Sequence, residues 1–187
     1  MINDRSFTID EMLAVSWQQQ LASDLAVEVE TFAGEKGGAI PELRRFLAIK
    51  GYRDLLCRLR RARDGKTSYA ALRSVAMEMR RYARERPALW AAASRTPSSD
   101  CIEWRAGHNE ICDFLRSVLS ECEIHGRNAE DALHMLRSLV RGFALHQMLG
   151  SFLYVNSHDE SFDRVIDIFI AGIKALVAER RECAAND

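Results

Sequence analysis

The feature that most constrains this chain is a helical rhythm interrupted by only three prolines, Pro41, Pro87 and Pro97, in 187 residues. Apolar residues return every three or four positions, the interval that lines one face of an α-helix. Alternating runs of the kind a half-buried strand needs are scarce. The rhythm predicts an all-α protein. Apolar residues make up 48% of the sequence, enough for a chain of this length to bury a substantial core.

Taken in order, Thr8 and Glu11 have capping-box spacing ahead of Met12, Leu13, Val15 and Trp17. The pattern continues through Leu21, Leu25, Val29 and Phe32, as one long helix or two short ones, until the glycines from Gly34 to Gly38 break it. Pro41 suits the first turn of a helix over 41–63. Leu43, Leu47, Leu55, Leu56 and Leu59 point that helix inward, and Asp64 and Gly65 stop it. Thr67 or Ser68 caps a helix reaching Arg86, and Pro87 ends it or starts the short PALWAAA helix. Residues 96–100 read as a loop. A helix over 101–124 turns Ile102, Ile111, Leu115, Val118 and Leu119 inward and stops at His125 and Gly126. Asn128 caps a helix to about Leu149, residues 150–158 form a loop, and Asp159 or Ser161 opens the last helix, whose CAAND tail frays.

Total charge nearly cancels, but its distribution does not. Residues 1–35 hold seven acids (Asp4, Asp10, Glu11, Asp24, Glu28, Glu30, Glu35) against Arg5 alone. Residues 41–63 hold eight bases (Arg44, Arg45, Lys50, Arg53, Arg58, Arg60, Arg61, Arg63) against Glu42 and Asp54. The change at the glycine stretch divides the chain into an N-terminal helical unit, 1–40, and a C-terminal body, 41–187. Arg44, Arg45, Lys50 and Arg53 are candidate phosphate contacts. The plainer reading is a solvated face, with Glu42 and Asp54 as partners and arginine stems covering the core.

Catalytic chemistry has no anchor in this sequence. The GEKGG stretch lacks the Gly-Lys-Ser/Thr ending of a phosphate loop, and no G-x-S-x-G or H-E-x-x-H pattern occurs. His108 with Cys112, and Cys122 with His125, have helical ligand spacing. A structural zinc site needs four ligands, so packing is the better reading, and no metal or other cofactor is expected. Five cysteines without a C-x-x-C pair suit a reducing cytosol. Nothing resembles a signal peptide, and no apolar run approaches the roughly 18 residues of a bilayer span. A cytoplasmic chain with no membrane partner is expected.

Two groups of residues remain. Trp90, Trp104, His108, Phe143 and His146 mix aromatic and polar character over three helices, as a ligand pocket does, or as a core with polar tips does. The most apolar helices, 133–149 and 162–177, contain Gly142, Ala144, Ala171 and Gly172, and small residues allow close helix approach. Leu139, Gly142, Phe143, Ile166, Phe169, Ile170 and Ile173 are therefore a candidate two-fold interface, the alternative being a monomer core.

Four segments in order resemble the regulatory part of TetR/AcrR-type transcriptional regulators: PELRRFLAIKGYRDLLCRLRRA, YAALRSVAMEMRRYARERPALWAAA, LRSLVRGFALHQMLGSF and DESFDRVIDIFIAGIKAL. The resemblance covers residues 41–178. It implies an all-α homodimer built on the last two long helices, with a small apolar or aromatic effector among the preceding ones. It also implies an N-terminal helix-turn-helix that reads operator DNA. Here the chain departs from the pattern. Residues 8–21 match the first helix, but LAVEVETFAGEKGGAI stands where a positioning helix, turn and recognition helix belong, and its charge opposes a duplex. Two functions follow: an effector-controlled regulator, most simply a repressor, that binds an operator, or a ligand-binding or protein-binding dimer that has lost DNA binding.

Overall fold

The computed structural model describes residues 9–35, 40–94, 101–149 and 157–185, with side chains described over 19–34, 42–94, 101–149 and 157–183. The chain forms α1 (Ile9–Glu35), α2 (Ile40–Arg63), α3 (Ser68–Glu85), α4 (Pro87–Ala93), α5 (Ile102–Ser120), α6 (Gly126–Met148) and α7 (His158–Ala185). No strand occurs among the described residues, so the fold is all-α. None of the described helices is long and apolar enough to cross a membrane. Thr8 of the expected capping box, residues 36–38 of the glycine stretch, the 96–100 loop, residues 150–156 and the final Asn186 and Asp187 lie outside the described residues.

Helix α2 is the central strut, packed against α3, α4 and α5. Its inward stripe of Leu47, Ala48, Tyr52, Leu55, Leu56 and Leu59 is buried, while Arg44, Arg53, Arg60 and Arg61 stay in solvent. Gly51 lets α4 come close: a Cβ there would stand 2.6 Å from the Leu89 carbonyl oxygen. The Tyr82 hydroxyl donates to the Gly51 carbonyl at 3.3 Å, fastening α3 at the same level. Gly65 closes α2 with φ +68°, the left-handed conformation that favours glycine.

Several boundaries and faces differ from the sequence expectation. α1 is one unbroken helix. Leu25 and Val29 are exposed on it, whereas Glu28 and Phe32 are buried, because α1 docks through charge as well as apolar contact. α5 ends at Ser120 rather than at 124. A turn through Glu123, whose φ is +62°, buries Cys122 and Ile124 between α5 and α6. Ile102 is the first residue of α5 and is 75% exposed, not inward. α6 starts at Gly126, two residues before the expected Asn128 cap, and α7 starts at His158. Ser157 supplies the α7 cap, its hydroxyl oxygen accepting from the Glu160 N–H at 3.3 Å. Thr67 is the α3 N-cap but makes no side-chain cap bond; the Ser68 N–H finds Glu121 Oε2 at 3.1 Å instead.

Candidate ligand cavity

Helix α6 carries three stripes at helical spacing, and the fold uses each differently. Leu133, Leu136, Val140 and Ala144 enter the core. Met135, Leu145 and Leu149 are exposed on the outer side, in line with Leu139 and Gly142. His134, Arg137, Ser138 and Arg141 form the third stripe and wall a cavity of about 200 Å³. Its other walls are Tyr52 and Leu55 from α2, Met79 from α3, Trp90 and Ala93 from α4 followed by Ser94, and Ile111 and Leu115 from α5. One side is apolar and aromatic; the other carries two guanidinium groups.

The electrostatics follow from that division. Arg137 Nη1 lies 3.7 Å from Cys112 Sγ, and Arg141 Nη1 lies 3.4 Å from the Ser94 carbonyl oxygen. Burial pushes the Tyr52 phenol above its ordinary value, with the Trp104 indole N–H and Arg137 acting in the opposite direction. Burial lowers the His108 imidazole; Asn109 opposes this and the charge of Arg137 adds to it. The Cys112 thiol is raised by burial. His108 is accordingly neutral and Cys112 a thiol at neutral pH, and neither is among the side chains that line the cavity.

The sequence-derived pocket set divides. Trp90 lines the cavity. Trp104 is buried, and His108 meets Tyr52 edge-on at 6.0 Å between ring centroids, which places both behind the Tyr52 wall. Phe143 lies at the α3–α6–α7 junction, 4.9 Å from Phe162 between ring centroids. Arg80, only 3% exposed, covers both rings at 5.2 and 5.0 Å and binds Gln147 and Asp159. His146 is on the exposed side of α6. Tyr52, Arg137 and Arg141 were missed by sequence reasoning. The available signal was the i, i+4 pair of arginines flanking Ser138 on an otherwise apolar helix.

The interface set divides as well. Leu139 and Gly142 are half-buried, and a Cβ on Gly142 would meet nothing within 4 Å. Phe143, Ile166, Phe169, Ile170 and Ile173 are buried within the protomer. They hold α6 and α7 to the core of the protomer. The apolar surface left on α7 is Ile168, 71% exposed, with Ala171, Gly172, Ala175 and Leu176.

The phosphate-contact candidates are only partly available. Lys50 pairs with Glu28 at 2.8 Å. Arg44 and Arg53 are exposed and Arg45 is half-exposed, with Arg53 on the rim of a shallow groove beside Phe46 and Glu103. Glu28 also binds Arg86, whose Nε reaches Asp24 at 2.8 Å, while Asp24 accepts the Ala88 N–H at 2.9 Å. Two acids of α1 are thus clamped to Lys50 of α2 and to the start of α4. Among the described residues no group of three or more His, Cys, Asp or Glu side chains could hold a metal ion.

The cavity is framed by α2, α3, α4, α5 and α6, within an all-α fold whose last two helices each carry a second, exposed apolar stripe. The tetracycline repressor-like C-terminal domain matches residues 72–169, just over half of the chain, and the protein belongs to that family. No protein of curated function matches the sequence. The fold is similar to the solved structure of a protein with unknown function from Rhodococcus sp. RHA1, at a TM-score of 0.66 and 16% identity. The match covers 91% of this chain and 97% of that one, and at that identity it speaks to the fold alone.

Proposed function

We propose that the protein is a ligand-sensing homodimer of the TetR family whose first helix does not read DNA. The observation that carries this reading is α1 itself. It is one 27-residue helix, and its acids Asp24 and Glu28 are engaged by Arg86 and Lys50. A recognition helix must lie exposed in the major groove with its own positioning helix behind it. Between α1 and α2 only residues 36–39 intervene. An effector in the cavity touches Tyr52 on α2 and Trp90 on α4, two of the helices on which α1 rests. Occupancy would therefore bias the α1 clamp, provided the effector prefers one arrangement of it. The dimer would form through the outer faces of α6 and α7, with no catalytic step.

The second reading, an effector-controlled repressor, is favoured by family membership and by the exposed Arg44 and Arg53. A salt-titrated binding assay on the DNA upstream of the protein's own gene separates the two. The expected result is no sequence preference at any salt concentration. Sequence-selective binding that weakens steeply as salt rises would establish the operator reading instead.

A further inference from the structure

We infer that the α2–α6 cavity takes a small organic anion, a carboxylate on a single apolar ring, held at the mouth by Arg137 and Arg141. This rests on reading the cavity as the effector site and adds the chemical class of the effector. Size sets the first limit. A dry cavity of about 150 Å³ takes up benzene, so about 200 Å³ accommodates one ring with a short substituent. The walls set the second. Leu55, Met79, Ile111 and Leu115 are buried apolar side chains, and Trp90 supplies an aromatic face, so an inorganic anion would leave most of the lining without a partner.

The arginines set the third limit. Several guanidinium groups that pack against the body of the fold meet carboxylates: Arg86 binds Asp24 and Glu28, Arg80 binds Asp159, and Arg116, at the same α5–α6 junction, binds Asp113 and Glu130. Arg137 and Arg141 have no carboxylate within ion-pair distance among the described residues; each makes one long contact to a neutral acceptor. Both belong to the α6 stripe that walls the cavity. A guanidinium presents five N–H donors in a planar fork that matches a carboxylate, so most of their donor capacity remains for a ligand. Ser138 lies between them and adds a hydroxyl.

The test is calorimetric titration of the full chain with benzoate, benzamide and benzylamine, three single-ring ligands of similar size and different charge. Benzoate is expected to bind about tenfold or more tightly than benzamide, and benzylamine not to bind. R137Q and R141Q should each weaken benzoate several-fold and leave benzamide unchanged. Arg137→Lys should retain part of the benzoate affinity, with thermal unfolding of every variant confirming a folded chain. Benzamide or benzylamine binding as tightly as benzoate would overturn the anion assignment and leave the effector cavity standing. Benzoate affinity unchanged in the R137Q/R141Q double variant would do the same. Failure of all three compounds to bind at millimolar concentration would overturn the assignment together with the effector reading.

Discussion

Gly51 shows how a single residue sets the distance between two helices in this fold. The Cβ of Gly51→Ala would meet the Leu89 carbonyl oxygen at 2.6 Å and Ala93 Cβ at 3.2 Å. The first neighbour is backbone and cannot rotate away, so α4 must shift. Overpacking of this kind costs about 1–3 kcal/mol, and chemical denaturation of G51A should show that loss. Gly34→Ala, within α1 and away from the proposed dimer face, is the control: its Cβ meets nothing, and the helix gains about 0.5–1 kcal/mol of propensity. Equal stability of the two variants would refute the close-contact argument. Periodicity marks Leu47, Leu55 and Leu59 as core because their burial follows from their own helix. It cannot mark Gly51, whose role depends on a carbonyl 38 residues away in sequence. Glu28 was hidden for the same reason. Leu25 and Val29 continue the apolar series, yet Glu28 is the buried residue of that turn because Arg86 and Lys50 wait on other helices.

Among the elements, α1 and α7 are held to the body partly by charge, and each attachment can be tested separately. Arg86→Met leaves Asp24 and the buried Glu28 with only Lys50 and the Ala88 N–H as partners. Removing one side of a buried pair costs about 3–5 kcal/mol, and the remaining partners should bring the loss to about 2–3 kcal/mol. Hydrogen exchange should then quicken across residues 19–34 while α5 and α6 stay protected; uniform quickening would show that α1 is not a separate docked unit. At α7, Arg80 holds the Asp159 carboxyl below its ordinary value. A carboxyl whose folded pKa is depressed stabilises above its unfolded pKa, near about 3.9. That stabilisation is lost as pH falls through the folded value. Because Asp159 is mostly exposed, solvent screening keeps the effect small. Asp159→Asn should show a flatter stability profile than wild type between about pH 5 and pH 3, and an unchanged slope would refute the coupling. The helices themselves were legible because each carries its own apolar rhythm and some carry a clear boundary residue: Asp64 and Gly65 end α2, and Pro87 opens α4. The cavity was not, since the four lining residues of α6 meet one or two from each of four other helices. Only Trp90 was conspicuous enough to be picked out by residue type.

For the whole molecule, the proposed dimer rests on the outer faces of α6 and α7. Met135, Leu145 and Leu149 on one helix and Ile168 and Leu176 on the other are 39–71% exposed, and Gly142 and Gly172 leave open space beside them. A second copy related by a two-fold axis would cover both stripes with the same stripes. The sequence pointed to these helices, but five of its seven interface residues belong to the inner faces, because apolar composition selects a helix without saying which of two apolar sides meets its own core. The two sides make opposite predictions. Ile168→Arg and Leu145→Glu place charge on the outer face, where the isolated protomer has nothing to clash with; the dimer should dissociate while helix content remains. Ile170→Ala removes a side chain that is 7% exposed on the inner face; it should lower stability by about 2–4 kcal/mol and leave association intact below the unfolding transition. Sedimentation velocity at micromolar concentration, read beside thermal unfolding, distinguishes the cases. A wild-type chain that sediments as a monomer would end the dimer proposal. A dimer that survives both Ile168→Arg and Leu145→Glu would move the interface to another face.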